Sequence, residues 1–165
     1  MKYVSVCPST NEVWGVNTQD QIFKRLGISA HSKQGNGWKQ IEGSLKVVSV
    51  ANAGIWGVTR NDDLYYRTGT FKNQRAEGSG WISVGGKFKQ ISVGLQTVWG
   101  VNSNDDIFAR TGISQSSPTG TGWYHMAGKL SFASVSTFND NNVWGCTSSD
   151  AVFEQTNLTC MSRKN

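Results

Sequence analysis

The dipeptide Trp-Gly, followed by a small apolar residue, recurs four times: Trp14-Gly15-Val16, Trp56-Gly57-Val58, Trp99-Gly100-Val101 and Trp144-Gly145-Cys146, at intervals of 42, 43 and 45 residues. A second tryptophan, always introduced by Gly-x-Gly, recurs at Trp38, Trp81 and Trp123, at intervals of 43 and 42. Two independent markers with one period define a tandem repeat. Such a repeat restricts the fold to architectures in which like units stack on one another.

The rest of each unit is periodic as well. Before each Trp-Gly stands an alternating segment ending in Ser-Val: Val4-Ser5-Val6, Val48-Ser49-Val50, Ile91-Ser92-Val93 and Ala133-Ser134-Val135. After it come Asp20, Asp62, Asp105 and Asp150, then the pairs Ile22-Phe23, Leu64-Tyr65, Ile107-Phe108 and Val152-Phe153. Arg25, Arg67 and Arg110 follow, with Gln155 breaking the pattern in the last unit. Short segments rich in β-branched and aromatic residues, separated by Gly, Asn, Asp and Ser, read as strands, and helical periodicity is absent. The tetrads Asn17 to Asp20, Thr59 to Asp62, Asn102 to Asp105 and Thr147 to Asp150 read as hairpin turns, because Asn and Asp tolerate left-handed backbone and bond to their own main chain.

About four strands per unit is the content of a propeller blade, a twisted sheet that buries both faces only against neighbouring blades. The expected fold is therefore all-β, a β-propeller of about four blades. The repeats span 1–158, in units of about 3–37, 38–80, 81–122 and 123–157, with a polar tail at 159–165. The Trp-Gly tryptophans are expected to fill the wedge between blades, with the following Gly admitting another backbone. Three strands recur four times but the Gly-x-Gly-Trp strand only three times, giving about fifteen strands where four complete blades need sixteen. A fragment of a longer propeller, a small ring with one three-stranded blade, and a ring completed by self-association all fit that count. A start inside a repeat and a polar end favour truncation, and open sheet edges predict dimerisation or aggregation.

With 19 Gly, 7 Trp and only 2 Pro, the composition suits short strands and tight turns. The formal charge is +5, but Lys and Arg are scattered and form no tract, so no nucleic-acid partner is expected. No apolar run is long enough to span a membrane. The opening MKYVSVCPST lacks the apolar core of an export signal, a loss that truncation accounts for. Cys7, Cys146 and Cys160 fit no metal spacing; a Cys7–Cys160 clasp and free thiols are both compatible with their positions. Asn157-Leu158-Thr159 is a glycosylation sequon that matters only in a secreted chain.

The succession Gly-x-Gly-Trp, Gly-x-Leu or Gly-x-Phe, Ser-Val and Trp-Gly-Val-Asn-x-x-Asp-x-Ile-Phe, fullest between Gly78 and Gly120, resembles the tectonin-repeat family, including the fish-egg lectins and lectins of the tachylectin-1 type. The resemblance covers residues 3 to about 157. It implies a β-propeller, six-bladed in the fish-egg lectins, that binds N-acetylglucosamine, lipopolysaccharide and microbial surfaces in secreted innate defence. Other members of the family are intracellular interaction modules.

No enzyme chemistry is expected. His31 and His125 lie in different units without recurring, and Asp62-Asp63 and Asp105-Asp106 sit in turns that account for them. A sugar site asks for an aromatic platform beside amide, carboxylate or guanidinium groups. The candidate carbohydrate-binding residues are Asn17, Asp20, Asn102 and Asp105, with Arg67 and Arg110 as rim donors and Trp38, Trp81 and Trp123 as platforms; for each, a turn or inter-blade role is the competing assignment. Unit four, with Thr147 and Gln155, is expected to hold the weakest site. No cofactor is expected, although Asp-rich turns are compatible with calcium without forming a recognisable calcium loop. Weak sites repeated on a rigid scaffold gain avidity of roughly 10²- to 10⁴-fold on a repetitive glycan. The leading expectation is a secreted lectin recognising N-acetylglucosamine-type glycans or lipopolysaccharide. An intracellular interaction module is the alternative, and a nonfunctional truncated paralogue is the third.

Overall fold

The computed structural model describes residues 1–136, 140 and 142–155. Among the described residues fifteen strands form four antiparallel sheets in chain order. The first holds β1 (Tyr3–Cys7), β2 (Glu12–Val16), β3 (Gln21–Leu26) and β4 (Gly37–Ser44). The second holds β5 (Val47–Ala51), β6 (Gly54–Val58), β7 (Asp63–Arg67) and β8 (Trp81–Lys87). The third holds β9 (Gln90–Val93), β10 (Val98–Val101), β11 (Asp106–Thr111) and β12 (Gly122–Lys129). The fourth, among the described residues, has three strands: β13 (Phe132–Val135), β14 (Val143–Cys146) and β15 (Val152–Gln155). This is a four-blade β-propeller arrangement. The Gly-x-Gly-Trp strand is the outer strand of the sheet that precedes it, so the sheets divide near residues 45, 88 and 130, later than the repeat phase that begins at that tryptophan. A strand joins the neighbour to which a hairpin delivers it, and β4 pairs along β3 from Leu26↔Gly37 to Gln21↔Ser44.

The inner strands meet one another, β1 against β5, β5 against β9 and β9 against β13, and among the described residues no comparable contact joins β13 to β1. The Ser of each Ser-Val motif ties two sheets together. Val50 N–H donates to Ser5 Oγ (3.0 Å), Val93 N–H to Ser49 Oγ (3.1 Å) and Val135 N–H to Ser92 Oγ (3.0 Å). These bonds satisfy backbone donors on inner strand edges that have no further strand to pair with.

Alternation along each strand decides which sheet a side chain faces. Trp14 packs with Val48, Val50 and Ile55 of the second sheet, Trp56 with Ile91, Val93 and Val98 of the third, and Trp99 with Ala133, Val135 and Val143 of the fourth. These three tryptophans are 0–2% exposed, as the wedge reading expects, whereas Trp144 is 48% exposed. A fully buried tryptophan removes roughly 150–250 Å² from water, about 4–6 kcal/mol of gross burial. Trp144 realises only about half of that.

In the second, third and fourth sheets the Gly after the tryptophan admits a link side chain, whereas at Gly15 the nearest atom to an added Cβ is the Tyr3 carbonyl oxygen, at 3.1 Å. A Cβ on Gly57 would run into Leu45, one on Gly100 into Phe88 and one on Gly145 into Leu130. These are the last residues of the Gly-x-Leu and Gly-x-Phe links between sheets. Among the described residues Cys7, buried, and Cys146, half-buried, are free thiols; Cys160 and the sequon at Asn157 lie outside the described residues.

Candidate functional site

The hairpin turns form as the sequence requires. Asn17 Oδ1 accepts from the Gln19 and Gln21 N–H groups, and Asn102 Oδ1 from those of Asn104 and Asp106, at 2.8–3.0 Å. Asp20, Asp62, Asp105 and Asp150 close the turns at φ of 63–68°, a region Asp enters more readily than most residues. The peptide carbonyls of Asp20, Asp62 and Asp105 accept from Leu45, Phe88 and Leu130 N–H, fixing the inter-sheet link against the turn (2.8–3.0 Å).

The aspartate side chains serve this framework too. Asp20 pairs with Lys2, Asp62 with Lys46 and Asp105 with Lys89. Asp20 is 3% exposed and also receives Arg60 from the second sheet, at 2.7 Å. The Lys2 ammonium, helped by Arg60, holds its carboxyl below the usual carboxylate range despite desolvation. Asp20 is thus withdrawn from the surface role expected of it. The three lysines recur in phase with the repeat, so these cations are periodic rather than scattered.

The arginines fasten the outer loops. Arg25, Arg67 and Arg110 lie opposite Trp38, Trp81 and Trp123 on paired strands, with each guanidinium 5.1–5.3 Å from the indole centre. Their Nε atoms donate to the loop carbonyls of Gln34, Glu77 and Thr119, at 2.6–2.7 Å. Arg67, 3% exposed, also pairs with Glu42 of the preceding sheet and reaches the Gly78 carbonyl. Its donors are used inside the fold, so it is a clamp rather than a rim donor. The same pairing lowers the Glu42 pKa. Arg110 is half-buried, with Nε and Nη2 bonded to Thr119 and Gly120 carbonyls.

Trp81 and Trp123 span neighbouring sheets. Register shifts place Glu42-Gly43 and Gly85-Gly86 in bulges of β4 and β8. The carbonyls of Glu42 and Gly85 accept from Trp81 Nε1 (2.9 Å) and Trp123 Nε1 (2.7 Å). Trp38 is exposed on the first sheet's outer strand.

This packing forms grooves between successive sheets, and the link residue governs them. Between the first and second sheets, where the link residue is Leu45, a groove of about 200 Å³ opens among Gly43, Ser44, Leu45, Thr59, Tyr65 and Trp81. Between the second and third, Phe88 fills the corresponding space, its ring 4.5 Å from Trp123 and 5.8 Å from Phe108. Asn102 and Trp123 therefore stand where the groove is filled. Between the third and fourth, Leu130 restores the opening, and a cleft of about 260 Å³ is bordered by Trp99, Met126, Gly128, Thr147 and Phe153. The fourth unit, expected to be poorest, thus borders an open cleft.

At the closed position the surface is charged. Asp106 accepts from Lys129 (2.5 Å) and from Asn102 Nδ2 (3.0 Å), and these bonds, Lys129 foremost, lower its pKa. His125 Nε2 lies 3.7 Å from the same carboxylate. Among the described residues no group of three His, Cys, Asp or Glu side chains is arranged to hold a metal.

Stacked antiparallel sheets with in-phase hairpins, arginine–tryptophan clamps and inter-sheet grooves define a repeat-built β-propeller protein. The Tectonin domain model matches residues 1–81 and 51–165, and the chain belongs to that family. A fish-egg lectin of Cyprinus carpio is 37% identical over 76 residues, covering 45% of this chain and 31% of the relative, so the matched region is about a third of that protein's length. Among solved structures, human WBSCR16 superposes with a TM-score of 0.57 at 10% identity, covering 87% of this chain and 44% of that one. Yeast RCC1 (Prp20), solved bound to Kap60, superposes at 0.54 and 7%, covering 87% and 41%. At such identities these structures share the fold alone. No helix among the described residues is long and apolar enough to cross a membrane.

Proposed function

We propose that this chain is a carbohydrate-binding protein, a lectin of secreted innate defence that takes N-acetylglucosamine-type units of microbial glycans, including those of lipopolysaccharide. The observation that carries the reading is the groove between the first two sheets, where the Tyr65 and Trp81 rings stand beside the Ser44 and Thr59 hydroxyls above an apolar floor at Leu45. A pyranose presents a weakly apolar face and a rim of hydroxyls, which suits an aromatic wall with hydroxyl partners. At about 200 Å³ the groove is smaller than the roughly 300–1,000 Å³ of sites for drug-sized ligands, a scale suited to one sugar residue. The 37% identity to a fish-egg lectin supports the class. Asn17, Asn102, Asp105, Arg110 and the exposed Trp38 remain proposed contributors at the rims of their own sheets; the open groove makes Trp81 the first.

Retention of the folded chain on N-acetylglucosamine-agarose, with elution by free sugar and a mannose column as control, tests this. Specific retention lost in Trp81→Ala is the expected result. A folded chain that passes through both columns would sink the lectin reading and favour a tectonin module that binds protein.

A further inference from the structure

The two ends of the sheet series are the unmatched halves of an interface that the chain makes three times within itself. On the fourth sheet, Phe132, Trp144 and Val152 are 42%, 48% and 66% exposed. Their counterparts Val47, Trp56 and Leu64 are buried in the core between the second and third sheets. Ser134, on the same face, holds the position from which Ser5, Ser49 and Ser92 accept a backbone N–H of the next sheet.

The first sheet carries the complement. Val4 and Val6 on β1 are 53% and 49% exposed, whereas the equivalent Val48 and Val50, Ile91 and Val93, and Ala133 and Val135 are 0–4% exposed. Met1 adds to this face by lying against Gly15, the place that Leu45 takes against Gly57. Val6 N–H occupies the position of the Val50, Val93 and Val135 donors.

We propose that the fourth sheet of one copy packs against the first sheet of a second copy, head to tail, repeating the internal contact between successive sheets. In that arrangement Ser134 Oγ accepts from Val6 N–H of the second copy, and Trp144 enters the wedge against its Val4 and Val6. The apolar residues match because both faces are copies of surfaces already shown to fit. Such a contact is heterologous, so it leaves one open face at each end and either closes a ring or extends.

Sedimentation velocity of the full chain in reducing buffer over a concentration series tests this, with Val6→Glu, Trp144→Glu and their mixture. The expected result is a wild-type species of two or more chains. Each single variant weakens association by roughly 30-fold or more, as loss of an anchor at a buried contact does. Mixing the two restores a species limited to two chains, since each variant keeps the face the other has lost. Circular dichroism checks folding, and Ser134→Arg replaces Trp144→Glu if the latter does not fold. A wild-type chain that stays monomeric throughout overturns the proposal. So does association that Val6→Glu leaves intact while the fourth-sheet variant abolishes it, because that contact would join two fourth sheets.

Discussion

Phe88 lies over Gly100, its Cδ1 only 2.5 Å from where a Cβ would sit on that glycine. The contact joins the link after the second sheet to the Trp-Gly strand of the third. Contacts of Leu45 with Gly57 and Leu130 with Gly145 repeat it.

Gly100→Ala is therefore expected to lower stability by roughly 1–3 kcal/mol through overpacking, since both the ring and the strand are buried. Denaturant unfolding measures it. Gly100→Ala should cost less in a Phe88→Ala background than in the wild type, and equal loss in both backgrounds would refute the steric account.

The same link residue sets groove occupancy, which makes sugar binding adjustable without touching the rim. Leu45→Phe is expected to fill the groove beside Trp81, as Phe88 fills the one beside Trp123, and to reduce glycan affinity at least tenfold; 1.4 kcal/mol corresponds to a factor of ten. Phe88→Leu should open the second groove and raise the number of sites by one. Calorimetric titration with N-acetylglucosamine oligomers reads both stoichiometry and affinity.

The strand pattern, the hairpin turns and the inter-blade tryptophans were legible because each depends on nearby residues and is written again in every unit. The assignment of Gly-x-Gly-Trp to the outer strand was not, because the repeat period is the same wherever the unit is taken to begin. Roles that depend on the next sheet were hidden as well. Arg67 and Asp20 look like exposed polar residues in a turn-rich sequence, and only the partner sheet shows Glu42 beside one and Arg60 beside the other. Lys2, Lys46 and Lys89 form an in-phase series, each three residues before the Ser of Ser-Val, and such a period is invisible in the length of charge runs. Leu45 and Phe88 both satisfy an apolar pattern, and the difference in groove volume lies in ring size against a neighbouring sheet.

Arg67 provides a test of the clamp. Arg67→Lys keeps the charge but loses the planar fork that serves Glu77, Gly78 and Glu42 while stacking on Trp81. It is expected to cost roughly 1–3 kcal/mol, the scale of leaving buried acceptors unsatisfied. Hydrogen exchange should quicken in the Thr68–Gly80 loop more than in β5 and β6. Uniform acceleration across the second sheet would mean that Arg67 supports the core rather than the loop.

Asp20 predicts the acid limb of the stability curve. Its folded pKa lies below the ordinary value of about 3.9, so the unfolded chain binds the proton more readily. The stabilisation from Lys2 and Arg60 is complete above that ordinary value and is lost as pH falls through the lower folded pKa. Asn is the proper replacement because it also tolerates the positive φ of 64° while removing the charge. Asp20→Asn should be less stable than the wild type by roughly 1–3 kcal/mol near neutral pH, the range for an unmade bond to a buried charged group. That gap should narrow progressively below about pH 4, where the wild-type carboxylate is itself being neutralised. Urea midpoints measured from pH 7 down to about pH 2.5 would follow the convergence. A gap that stays constant across that range would place the cost of the substitution in the turn and not in the ion pairs.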